Sequence, residues 1–343
     1  MRTASDVRTQ TIGALGMALP VGGGRGSLHP AAWPRRVVWR WAAVVLGLGL
    51  LTGQAGAATV FACEPEWAAL VRVLLPEARL HVATHVRQDP HHIEARPALI
   101  AQLRAADMAV CTGAALEAGW LPMLKQRAAN AKVQDGQPGM FYVADHVSLI
   151  DPQPATLNPF AGDVHPEGNP HVQTDPRRLQ EAAEALSERI QTLWPEQAKA
   201  VAKRHQQWDA QWQRHIERWT RDAASLRGGH VAAQHTTFGY LWHWLGIEMV
   251  ADLEPKPGMP PTPGHLNTVR DALLAKPPAA VVVASYQDAR AAQWLVQQLQ
   301  GRSTLRVLPA TVDDPLAPAS LEAWFDQLLA ELKSSTQINK QKR

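Results

Sequence analysis

The stretch RQDPHHIEAR places two adjacent imidazoles, His91 and His92, directly after an Asp-Pro break and before a helix-forming run. Three more groups of related chemistry stand at comparable places: His171 in GNPHVQTDP, His235 in VAAQHTTFGY and Asp288 in VVVASYQDAR. A neutral imidazole nitrogen and an ionised carboxylate both bind divalent transition metals, and imidazole also suits proton transfer near neutral pH. Each residue taken alone has a plainer reading, His as a hydrogen-bonding loop residue and Asp288 as the cap of the helix that follows it. Position sets the group apart, because each member comes from a strand end or a turn and none from a helix interior. The chain has no HExxH, no reversed HxxEH and no GxSxG elbow to argue for a hydrolase.

The elements that must position these groups are legible from periodicity. From Ala58 short apolar runs alternate with helix-periodic ones: ATVFAC, EWAALVRVLL and ARLHVAT, then RPALIAQLRAA, DMAVCT, ALEAGWLPMLKQR and a fourth strand at MFYVAD. Such alternation predicts an α/β fold with a parallel sheet covered by helices. Residues 145–170, rich in Pro, Gly, Asn and Asp, read as a long loop whose plausible donors are His146, Asp163, His165 and Glu167. After DPRRLQEAAEALSERIQTLW and Pro195 comes a longer helical run, which at some 30 residues would extend about 45 Å. Val201, Trp208, Trp212, Ile216 and Trp219 fall on one of its faces, the pattern of a packing surface.

Gly228 and Gly229 break that helix, and the alternation restarts through HVAAQ, IEMVADL, AAVVVAS and LRVLPA. The expectation is two β/α lobes with parallel sheets, at 58–195 and 228–335, joined by one long linking helix at 196–227. A polar tail at 336–343 is expected to be flexible. Open parallel sheets bind ligands outside the carboxyl ends of their strands, which puts His91 and His92 at the mouth of the first lobe. His205, His215 and His243 read as surface or packing residues, and His265 as an N-terminal helix residue.

Upstream, RRVVWRWAAVVLGLGLLTGQAGA has the layout of a secretory signal: Arg35, Arg36 and Arg40, an apolar run from Trp41 to Gly53, then Ala55 and Ala57. The run is short for a membrane span. Residues 1–57 are therefore read as a signal peptide with an extended n-region, Met17 being an alternative start, with cleavage after Ala57, export to the periplasm and no stable membrane anchor. Cleavage takes six arginines and one aspartate from the chain's 34 basic and 31 acidic side chains, leaving a net charge of −2 and no basic stripe for nucleic acid. Only Cys63 and Cys111 are present, at the ends of the first and third strands. In an oxidising compartment, with neighbouring strands about 4.8 Å apart, a disulfide between them is expected, with free buried thiols as the alternative.

The motifs DPHHIEARPALIAQLRAADMAVCTGAALEAGWLP, GNPHVQTDP, QHTTFGYLWHWLG, EPKPGMPPTPGHL and ASYQDAR, in that order, resemble the metal-specific solute-binding proteins of bacterial ABC importers, the zinc/manganese/iron type. The resemblance covers nearly all of residues 58–334. It implies one metal bound between the lobes by His91, His171, His235 and Asp288, with His92 and His165 as supporting or alternate ligands. It also implies an importer permease and its ATPase as partners, and a chain that is not an enzyme. The chain departs from many zinc members in lacking a long histidine- and acid-rich loop between the first two ligands. Oligomer contacts are not implied, and a monomer is expected.

Three imidazoles and a carboxylate suit Zn2+, carried as cargo, because manganese favours more oxygen donors. A manganese- or iron-type binder is the alternative. Less expected are an exported zinc-dependent hydrolase with three His ligands and an open water position, and a zinc buffer or adhesin with no importer.

Overall fold

The protein was analysed as a computed structural model that describes residues 57–152 and 163–341, together with 22–24 and 26. The apolar run of the expected signal and its arginine flank lie outside the described residues. Gly56–Arg343 forms one compact unit.

Within it are two four-stranded parallel sheets of the same strand order. In the first lobe β1 (Thr59–Ala62), β2 (Arg79–Val82), β3 (Met108–Cys111) and β4 (Met140–Tyr142) lie in the order β2-β1-β3-β4. In the second, β5 (His230–Ala233), β6 (Glu248–Asp252), β7 (Ala280–Ala284) and β8 (Thr304–Leu308) lie as β6-β5-β7-β8. Strands buried on both faces have no need to alternate, and the continuous apolar runs MAVC and AVVVA are buried at every residue. In each sheet the chain steps from the first strand to one side and then to the other. A crevice therefore opens between β1 and β3, and again between β5 and β7, at their carboxyl ends.

Proline marks the start of many of the connecting helices, where its missing N–H costs nothing. It opens α1 (Pro65–Leu74), α2 (Pro97–Ala105) and α4 (Pro176–Leu193), and stands in the first turn of α3 (Leu121–Ala128). The linking helix α5 (Ala198–Asp222) has 25 residues, about 37 Å of rise and so shorter than the sequence suggests. Short 3-10 turns at Pro195–Gln197 and Ala224–Leu226 take up its expected ends. The second lobe adds α6 (Gly239–Leu245), α7 (Pro263–Leu273), α8 (Arg290–Gln298) and α9 (Ser320–Gln341). The last runs past the boundary expected at 335, since no Gly or Pro interrupts it and its Lys and Gln residues favour helix.

The buried face of α5 consists of Val201, Trp208, Trp212, Ile216 and Trp219, the stripe read from the sequence. Trp212 donates to the Pro176 carbonyl at the start of α4, at 2.7 Å, and Trp219 to Asp326 of α9, at 2.6 Å. Phe325 packs edge-on to Trp212 with ring centres 5.7 Å apart. This helical layer lies against one face of both sheets, so a single continuous apolar core runs from Val60 and Trp67 of the first lobe to Val282 and Phe325 of the second. The outer faces have separate cores, under α2 and α3 in one lobe and under α7 and α8 in the other. Cys63 and Cys111 form a disulfide across the β1–β3 crevice, with Cα atoms 4.8 Å apart.

Candidate metal centre

Three of the expected ligands meet in the cleft. Nitrogen atoms of His91, His171 and His235 all lie within 4.8 Å of one another, and all three residues are buried. His91 follows β2 through a turn in which Asp89 accepts from the His91 backbone N–H, at 3.0 Å. His171 starts a 3-10 turn ahead of α4, its N–H donated to the side chain of Asn169 at 2.9 Å. Asn169 in turn donates to the Thr236 carbonyl beside His235, at 3.0 Å, which ties the ligand segment of one lobe to that of the other. At this crossing a Cβ added to Gly239 would come within 2.8 Å of the Asn169 amide nitrogen, so a larger residue would have to displace the Asn169 side chain. His235, two residues beyond the end of β5, has φ +64, a left-handed backbone that costs a non-glycine residue energy. Asp252 holds it there by accepting the backbone N–H of both His235, at 3.1 Å, and Glu254, at 2.9 Å.

The ring nitrogens show which atoms are free for a metal. His91 Nδ1 is 2.8 Å from Asp89 Oδ1, His235 Nδ1 is 3.1 Å from Glu254 Oε2, and His165 Nδ1 is 3.1 Å from the Ala114 carbonyl. Carboxylate and carbonyl oxygens accept, so each Nδ1 carries the proton and each Nε2 keeps its lone pair. Those lone pairs face one another, with His171 Nε2 at 3.3 Å from His235 Nε2 and His91 Nε2 at 3.4 Å from His165 Nε2. Two nitrogens bound at about 2.0–2.1 Å to a tetrahedral zinc stand about 3.3–3.4 Å apart, so the spacing fits a cation between them.

Electrostatics keeps much of this set in the binding form. Burial, reinforced by the neighbouring His91 and His235, drives the His165 imidazole down to about 4 and His171 well below its ordinary value. At His235 burial pulls the same way, but the hydrogen bond and charge of Glu254, with Asp252 and Asp163 behind it, prevail and raise it.

Asp288 departs from the expectation. It lines the outer rim of a cleft of about 570 Å³ that leads to the histidines, but its carboxylate is half exposed and both oxygens are engaged by Arg290. It accepts the Arg290 backbone N–H at 3.0 Å at the start of α8, the helix-capping role that an isolated Asp before a helix suggests. His92 is exposed and faces Asp163 at 3.8 Å, away from the converging nitrogens. Of the loop donors His165 stands against His91 at the edge of the centre, and Asp163 lines the outer cleft beside His92. His146 stacks on Phe141 with ring centres 4.6 Å apart, and Glu167 borders a separate hollow near Ala114. His265 donates its Nε2–H to the Asp252 carbonyl, 2.9 Å away, from the first turn of α7, as expected of it. Sequence reading missed Asp89, Asn169, Asp252 and Glu254. Asp89 and Asn169 stand in the ligand motifs themselves, and their spacing of two residues from a ligand was the available signal.

Over residues 60–335 the sequence matches the family of zinc-uptake complex component A, periplasmic, also called ZnuA. The chain belongs to that family. No curated protein matches it at a significant level. Among solved structures, a ZnuA crystal structure is similar at TM-score 0.64 and 16% identity, covering 80% of this chain and 99% of that one. The periplasmic zinc-binding protein TroA from Treponema pallidum is similar at TM-score 0.63 and 17% identity, covering 81% and 99%. FpvC from Pseudomonas aeruginosa, a binding protein in complex with Mn2+, gives 0.64 and 16%, covering 82% and 99%. This ZnuA-family chain is thus a periplasmic divalent-metal-binding protein of the solute-binding class that serves ABC importers, and not an enzyme. Among its described residues, no helix is long and apolar enough to cross a membrane.

Proposed function

We propose that the chain captures Zn2+ in the cleft between its lobes and delivers it to an ABC-type permease and its ATPase, after export and signal cleavage following Ala57. The observation that carries this reading is the convergence of buried imidazole nitrogens with their lone pairs turned inward. His91, His171 and His235 are assigned as ligands, and His165 as the fourth in place of Asp288. His165 stands beside His91, and a small closing of its loop toward the other nitrogens completes a tetrahedral set. Four nitrogen donors and no carboxylate favour zinc over manganese, which prefers oxygen. Manganese remains the competing cargo because FpvC, similar in fold, was solved with Mn2+.

Titration calorimetry of the metal-stripped protein with zinc and with manganese, beside His235→Ala, tests the reading. Tight one-to-one zinc binding, weaker manganese binding and a loss of more than about a hundredfold in the variant are expected, beyond the 10–100-fold that outer hydrogen-bond partners of a ligand are worth. Tighter manganese than zinc binding would overturn the choice of metal, and no binding of either would overturn the site.

A further inference from the structure

His171 is the one histidine of the centre whose Nδ1 has no protein partner, although the residue is wholly buried. A metal-bound imidazole nearly always donates its other N–H to an acceptor, so this atom calls for one. His171 does not line the outer cleft. It lines instead a small chamber of about 20 Å³ between the lobes, bordered also by Glu64, Glu66, Gln88, Gln173 and Thr311. Four side-chain oxygens on that wall are buried and without a partner: Glu64 Oε1, Glu66 Oε1, Gln88 Oε1 and Gln173 Oε1. One donor and four acceptors around a space of this size match the needs of a water molecule, which requires about 10–15 Å³ and commonly makes about three hydrogen bonds.

Two of these side chains reach across the lobes: Gln173, whose amide donates to the Ala310 carbonyl at 3.3 Å, and Glu66, which carries the carboxyl group. Glu66 is fully buried, and its other carboxyl oxygen accepts from Thr311 Oγ1, just beyond β8 of the second lobe. Glu64, by contrast, is tied within the first lobe by the Thr112 hydroxyl at 3.1 Å.

We propose that the chamber is a buried hydration site, whose water accepts the Nδ1–H of His171 and donates to Glu66 Oε1, so that Glu66 is a positioning residue for this imidazole. The inference rests on the reading of His171 as a metal ligand. It couples the metal to the seam between the lobes, because the chain of bonds runs from His171 through water and Glu66 to Thr311.

The test combines a crystal structure of the zinc-loaded protein, at a resolution that shows ordered water, with zinc affinities of wild type, Glu66→Gln and Glu66→Leu from competition against a chromophoric chelator. The expected results are a water within hydrogen-bond distance of both His171 Nδ1 and Glu66, a loss of about 10–100-fold in Glu66→Leu, and rescue to within about threefold in Glu66→Gln, which keeps an acceptor. Visible absorption of the Co2+-loaded forms should change in Glu66→Leu and not in Glu66→Gln. A dry chamber, or Glu66→Leu binding zinc as tightly as wild type, overturns the inference while leaving the metal site intact. Wild type that binds no zinc overturns both. Should Glu66→Leu fail to fold, the water in the wild-type structure decides alone, and Thr311→Val supplies the affinity arm with an expected loss between those of the two Glu66 variants.

Discussion

A side chain can hold the metal only if a donor atom stands at the converging nitrogens, and that condition separates His165 from Asp288. His165 is turned by the Ala114 carbonyl so that its Nε2 points at His91, whereas Asp288 is half exposed and held by Arg290 at the start of α8. In competition titrations, His165→Ala should weaken zinc binding by about tenfold or more, and Asp288→Asn should leave it within about twofold, outside the range expected for ligand partners. Protonation discriminates in the same way. His235, raised above the ordinary histidine value of about 6.5, must give up a proton to bind, so zinc affinity should begin to fall above that pH on acidification. His165 is held neutral down to about 4 and adds nothing to that upper part of the profile. Affinity measured from about pH 8 to about pH 5 should therefore keep its upper limb in His165→Ala and lose it in a Glu254→Gln variant, whose His235 is no longer raised.

At the scale of elements, the site is built where each sheet reverses its winding. The disulfide closes the β1–β3 crevice, linking residues 48 apart in sequence, so it restricts the unfolded chain and pins the loop whose Ala114 holds His165. The double variant Cys63→Ser, Cys111→Ser is expected to unfold at lower denaturant concentration, by about 2–5 kcal/mol. Reduced wild type should match it, and an unchanged midpoint would show that the bond carries no stability. Strand existence and helix faces were legible because period and burial coincide, as the Trp208, Trp212 and Trp219 stripe illustrates. Helix ends were less so. The linking helix gives way to 3-10 turns at both ends, as last turns often do, and periodicity does not mark where that change falls.

Across the whole molecule, one apolar core spans the α5 layer and both lobes, with Trp212 and Phe325 at its centre. Opening the lobes as rigid bodies would expose that core to water, at about 25 cal/mol for every Å² uncovered. Small-angle scattering of metal-free and zinc-loaded protein is therefore expected to give the same radius of gyration within error. Binding would be felt instead in the ligand-bearing loops, such as the one carrying His165. A measurable compaction on zinc binding would contradict this picture of a stiff two-lobed body.

The family, the two parallel β/α lobes, the paired cysteines and the histidines 91, 171 and 235 follow from the sequence alone, because periodicity, turn residues and motif order are local properties. The tertiary structure decided the rest. Whether Asp288 turns to a helix N–H or to a metal, and whether His165 reaches the cleft, depends on hydrogen bonds between segments distant in the chain. The acceptors behind each imidazole, Asp89, Ala114 and Glu254, become visible only when folding brings them to the ring. Such competition among partners for one side chain is settled by three-dimensional proximity, and no spacing along the sequence encodes it.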